Sequence, residues 1–65
     1  MQVGTLLRAR NEDKLFIIVG EKYVIRKTRR LEQTIKGYRV SPCDRMDWSF
    51  VVDKYELPKR FEVVS

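Results

Sequence analysis

A single, mostly β domain is what this 65-residue sequence predicts, and three features predict it. Eight Val, four Ile, three Thr and seven aromatic residues stand against one Ala, a composition that suits pleated strands and disfavours long helices. Apolar runs of strand length recur between clusters of turn residues. Length supplies the third: a chain of about 60 residues buries roughly 60% of its unfolded surface, enough for one core and no more. Residues 1–65 are therefore expected to form one domain.

The first strand is expected over Val3 to Ala9, ended by the polar turn Arg10-Asn11-Glu12-Asp13-Lys14. Leu15-Phe16-Ile17-Ile18-Val19 follows as a continuous apolar strand of the kind buried on both faces. Gly20 and Glu21 next predict a tight type II′ hairpin, in which the first central residue needs positive φ. That hairpin leads into a strand from Lys22 to Lys27. Tyr38 to Ser41 and Trp48 to Val52 read as two more strands, joined by the turn residues Pro42, Cys43, Asp44 and Arg45. A short 3₁₀ turn is expected around 54–57, stopped by Pro58 before a last strand from Phe61 to Val64.

Residues 28 to 37 read two ways. Thr28 can cap a short helix around 29–36, with Leu31 and Ile35 one turn apart and Gly37 beyond its end. The same residues can equally form a long hairpin loop.

Composition also narrows the function classes. No apolar run reaches the length of a membrane span, the longest being Leu15 to Val19. No leader of basic then apolar residues opens the sequence, so a cytoplasmic address is expected. One cysteine, Cys43, closes no intrachain disulfide, and the absence of histidine removes the usual Cys/His zinc sets along with the commonest general acid/base. A non-enzymatic protein without metal or cofactor is the expectation. A net charge of +5 favours anionic partners.

The order of these pieces resembles a small SH3-like barrel, the superfamily of KOW and Tudor modules and of many short proteins of tailed bacteriophages. The residues that carry the likeness are Val3-Gly4-Thr5-Leu6-Leu7, Phe16-Ile17-Ile18-Val19 before a Gly turn, Tyr38-Arg39-Val40, Trp48 ahead of Val51-Val52, and Glu56-Leu57 with Phe61-Glu62-Val63-Val64. Such a resemblance implies five antiparallel strands in a barrel, with a short turn delivering the last strand beside the first. It also implies a host-interacting or DNA-associated factor, placed in the host cytoplasm if of phage origin.

Arg26-Lys27-Thr28-Arg29-Arg30 is the sharpest local feature, four cations in five residues. Such a run neutralises phosphates and releases their counterions, and it equally protects a strand edge from pairing. Arg8 and Arg10 alternate on one face of the first strand and extend the basic surface if that face is exposed. Lys36 and Arg39 flank Tyr38, and Tyr23 follows Lys22, interleaving aromatics with cations as single-strand binders do. Ordinary packing of Tyr rings under snorkelling cations produces the same pattern. Trp48 reads either as a ring that stacks a base or a proline, or as a core residue. The acids Asp44, Asp47, Asp53 and Glu56 read as solvated surface. Cys43 would need its pKa lowered to act as a nucleophile, and Arg45 is the one neighbour that could do so.

The leading expectation is a binding module that engages the backbone of DNA or RNA through Arg26, Lys27, Arg29 and Arg30. Arg8, Arg10, Lys36 and Arg39 support it, and Tyr23, Tyr38 and Trp48 are the aromatic contacts. The alternative is an adaptor or inhibitor that docks on a larger host protein. Exposed strand edges also allow a homodimer.

Overall fold

Five strands and one short helix make up the computed structural model, which describes residues 1–65. In chain order they are β1 (Leu6–Ala9), β2 (Leu15–Lys27), β3 (Glu32–Pro42), β4 (Phe50–Asp53), α1 (Leu57–Arg60) and β5 (Phe61–Val63). They form one antiparallel sheet in the order β4-β3-β2-β1-β5.

No backbone ladder joins the edge strands β4 and β5, so the sheet is not closed into a barrel. Side chains meet between those strands instead: the Phe50 and Phe61 rings stack with centroids 6.3 Å apart. Phe16 meets both rings edge-on, at 6.1 and 5.1 Å. The core they close contains Leu7, Ala9, Ile18, Tyr38, Val40, Val52 and Leu57.

β2 corrects two expectations at once. The strand runs unbroken through Gly20, so the segments predicted on either side of a hairpin are a single strand. Gly20 lacks the positive φ a type II′ turn requires; Gly4, with φ of 96°, is the only residue of the chain in that region. A β-bulge occupies the place of the turn. Ile18 pairs with Val40 and Gly20 with Arg39, leaving Val19 as the extra residue. The bulge switches which residues lie on the core side of the sheet, from Phe16 and Ile18 before it to Glu21, Tyr23 and Ile25 after it, the last three exposed because the core does not extend that far. Burial of Leu15 to Val19 on both faces is also not observed. Phe16 and Ile18 are buried while Leu15 is exposed, because only one face of the sheet has a core to cover it.

Neither a helix around 29–36 nor a long loop occurs. Residues 32–36 continue β3, and β2 and β3 pair rung by rung out to Lys27 and Glu32. Arg29 and Arg30 form the tip. There the Thr28 amide donates to the Leu31 carbonyl at 2.8 Å, and the Thr28 hydroxyl accepts from the Leu31 amide at 3.1 Å. Thr28 thus closes a strand turn through the same side-chain oxygen that suggested a helix cap.

Three boundaries shift. β1 starts at Leu6 rather than Val3, and β4 starts at Phe50, which leaves Trp48 in the preceding connection. The expected 3₁₀ turn around 54–57, with Pro58 as its stop, is replaced by a turn at 54–56 and the helix Leu57–Arg60, which contains Pro58 in its first turn. Asp53 opens this corner, its Oδ1 accepting from the amides of Tyr55 and Glu56 at 2.9 and 2.8 Å. A first-turn proline forfeits no helical hydrogen bond, so Pro58 starts the helix instead of stopping it.

Candidate nucleic-acid interface

β2 and β3 outrun their neighbours. β1 pairs with β2 only as far as Leu6 opposite Ile17, and β4 pairs with β3 only from Gly37 to Val40. Beyond those limits residues 21–36 form a two-stranded arm, and the molecule measures 39 × 22 × 18 Å. Every residue from Ile25 to Thr34 is exposed. Val24 and Ile35, opposite each other, anchor the arm at its base, where Ile35 is buried and Val24 and Lys36 are half-buried. Gly37 permits this packing, since a Cβ there would lie 2.7 Å from Val24 Cγ2.

Charge concentrates on this arm. It holds six of the 14 cations (Lys22, Arg26, Lys27, Arg29, Arg30 and Lys36) and two of the nine acids (Glu21 and Glu32), a net +4 that leaves +1 for the remaining residues. Only Lys36 among the six is in an ion pair, 3.2 Å from Glu21. Its pKa is raised above 10.5, first by a hydrogen bond to Glu21 and then by that carboxylate's charge. Arg26 lies 5.9 Å from the centre of the Tyr55 ring, a cation–π contact that leaves its charge uncompensated.

Strand register distributes the cations over both faces. Lys22 and Arg26 lie opposite Gly37 and Gln33 on the face away from the core side. Lys27 shares the core-side face with Tyr23 and Ile25, and Lys36 stands opposite Tyr23.

The supporting residues named from the sequence are not gathered here. Arg8 and Arg10 lie at the other end of the sheet, beside the start of β2. Arg8 is 3.4 Å from Glu62 and 3.8 Å from Asp13, and Arg10 Nε donates to the Pro58 carbonyl at 2.7 Å. Arg39 points from the body of the sheet and donates to Ser49 Oγ at 3.2 Å. The three aromatics are likewise dispersed. Tyr23 is 70% exposed on the arm, Tyr38 is in the core at 5% and presents no face to a ligand, and Trp48 is 52% exposed in the connection before β4.

Sequence reasoning noted Lys22 beside Tyr23 without counting it among the site residues, and missed the contact that Tyr55 makes with the arm. Lys22 alternates with Val24 and Arg26, a signal that becomes readable once the strand is known to pass through Gly20. Tyr55 reaches Arg26 from a different element, and no local pattern announces that contact.

Elsewhere, a cleft of about 300 Å³ lies between the β1–β2 turn and α1, lined by Arg10, Glu12, Phe16, Lys59, Arg60 and Phe61 among others. Arg60 there covers the Phe50 and Phe61 rings at 5.3 and 5.6 Å. Cys43 is exposed and unpaired, and no three His, Cys, Asp or Glu side chains assemble in a metal-binding group. No protein-family model, curated protein or solved structure matches the chain.

Proposed function

We propose that this protein is a non-enzymatic module that binds nucleic acid through the phosphate backbone, with the residue 21–36 arm as the contact surface. The observation that carries this reading is the net +4 on an exposed arm whose Lys22, Arg26, Lys27, Arg29 and Arg30 are in no ion pair. Unpaired cations on a projecting ribbon give up little when they meet phosphates, and the counterions they displace drive the association. The strand order, with a short helix between the fourth and fifth strands, supports reading the fold as an SH3-like module whose second hairpin is elongated. Arg8, Arg10 and Arg39 have a lesser part in this reading than their sequence positions suggested, being occupied at other points of the surface.

Titration of a labelled duplex over a range of salt concentrations tests it. With five phosphate contacts the slope of log K against log salt is expected near about −4.5. Replacing Arg26, Arg29 and Arg30 together by Ala should weaken binding and flatten that slope by about 3. Unchanged binding by the triple variant rules out the arm.

A second reading, an adaptor or inhibitor that docks on a larger protein, is favoured by the exposed Tyr23, Ile25 and Leu31 on the same arm. Recovery from lysate with and without nuclease separates the two. A stoichiometric protein that survives nuclease supports the adaptor, whereas material lost with the nucleic acid supports the first reading.

A further inference from the structure

The cleft between the β1–β2 turn and α1 gathers three cations, Arg10, Lys59 and Arg60, and one acid, Glu12, beside the Phe16 and Phe61 rings. None of the three cations is in an ion pair, whereas Arg8, Lys14 and Arg45 elsewhere on the body each have a carboxylate within 4.0 Å. The backbone brings the two arginines together: the Arg10 amide donates to the Arg60 carbonyl at 2.9 Å, and Lys59 is the residue before. Like charges held as neighbours repel. The cleft's four charged residues sum to +2, and the rest of the body outside the arm sums to −1. Positive charge is thus concentrated here without a partner of the protein's own, and an anion seated in the cleft relieves the repulsion.

Groups other than acids position both guanidiniums. Arg10 Nε donates to the Pro58 carbonyl at 2.7 Å, which leaves the N–H groups of its two terminal nitrogens free. Arg60 rests on the Phe50 and Phe61 rings at 5.3 and 5.6 Å, a contact that uses none of its N–H donors. Guanidiniums held with free N–H edges suit phosphate oxygens, which accept two parallel hydrogen bonds from one arginine. Charge then selects the form of the anion. A phosphate monoester carries about −1.5 to −2 at neutral pH and matches the net +2, which a carboxylate or a phosphate diester only half compensates. The cleft's volume of about 300 Å³ lies at the lower end of the roughly 300–1,000 Å³ range of small-molecule sites, and its phenylalanine rings offer an apolar wall to the organic part of an ester.

We propose that this cleft binds a phosphate monoester, with Arg10 and Arg60 on the phosphate oxygens, Lys59 as the third cation and the organic group against Phe16 and Phe61. The proposal rests on the cleft alone and is independent of the arm, which leaves the body at the other end of β2. A free nucleotide and the phosphorylated 5′ end of a strand present the same chemistry to it.

Calorimetric titration of the full chain with adenosine 5′-monophosphate tests the site, beside adenosine and the 3′,5′-cyclic monophosphate. The monoester should bind about tenfold more tightly than the cyclic diester, and adenosine should not bind. Affinity should fall several-fold from neutral pH to about pH 5, as the phosphate gains a proton at its second pKa near 6. Arg10→Ala and Lys59→Ala should each weaken binding about tenfold. Glu12→Gln should tighten it a few-fold, and this exposed residue has no partner to lose, so misfolding cannot produce the result. Amide shifts on titration should fall at Asn11, Glu12 and Arg60, and the Arg26/Arg29/Arg30 triple variant should bind the monoester as the parent does.

Absence of monoester binding at low salt, equal binding of the cyclic diester, no gain from Glu12→Gln, or shifts confined to the arm overturns the site, and none of these results touches the duplex titration that tests the arm. Competition in the triple variant distinguishes the sources. Displacement of the nucleotide by a 5′-phosphorylated oligonucleotide supports a strand end, its failure to displace supports a free nucleotide, and equal displacement by the unphosphorylated strand overturns monoester recognition.

Discussion

Lys36 Nζ sits 3.2 Å from Glu21 Oε1 across the base of the arm, and this pair ties the two long strands together where the body of the sheet ends. Their rungs are two apart, Lys36 pairing with Tyr23 and Glu21 with Tyr38, so the contact is a diagonal one on the core-side face.

The Lys36 pKa is raised by its hydrogen bond to Glu21 and by the carboxylate's charge, which fixes the sign of its contribution. A raised lysine pKa stabilises the fold fully below the unfolded value of 10.5, and that contribution is lost as pH rises through the higher folded value. Glu21→Gln should therefore melt slightly below the parent at neutral pH, with the gap narrowing above 10.5 in melting curves recorded across alkaline pH. Because the variant also frees Lys36 and removes an acid, it should bind a DNA duplex a few-fold more tightly.

Gly37 is the position where the arm meets β4. A Cβ there would lie 2.7 Å from Val24 Cγ2, 3.2 Å from the Lys22 carbonyl oxygen and 3.3 Å from that of Val52. Gly37→Ala should cost about 1–3 kcal/mol in urea unfolding, the usual penalty for forcing extra volume into packed surroundings. Adding Val24→Ala relieves the closest contact, so the double variant should lose less than the sum of the single changes.

Ser41 organises the connection before β4. Its buried hydroxyl donates to the Trp48 carbonyl at 2.7 Å, with the Arg45 carbonyl also within 3.2 Å. Ser41→Ala should destabilise the fold by about 1–2 kcal/mol by leaving a carbonyl without its donor. Trp48 is the only tryptophan, and its ring lies 5.3 Å from that of Phe50. The variant's fluorescence should shift to the red and become easier to quench as the loop loosens; an unchanged spectrum would mean that Ser41 does not hold Trp48.

Much of the β architecture was readable from local pattern. A strand beginning at Leu15 and the turn at Arg10 to Lys14 are consequences of short-range patterning, while the return of Phe61 beside β1 is what the SH3-like resemblance implied. The basic cluster was equally visible as composition. What misled was glycine and threonine chemistry with two uses. Gly20 suits a hairpin turn and a bulge, and Thr28 suits a helix cap and a strand turn, because each supplies the same local freedom or the same acceptor in either setting. Pro58 carried the same ambiguity, compatible with the end of one helical turn or the start of the next.

The sequence by itself determined that the chain is β-rich, strongly basic and without histidine, for these are properties of residues and not of their arrangement. Tertiary structure alone decided that Leu15 to Lys27 is one strand and that its second half projects. Whether a strand edge or face is covered depends on where its neighbours stop, and β1 stops opposite Ile17 while β4 stops opposite Gly37. The bulge at Val19 then settled which side chains share a face, since one extra residue inverts the alternation of everything beyond it. The cations were thereby divided between two faces, Lys22 and Arg26 on one and Lys27 and Lys36, beside Glu21 and Glu32, on the other.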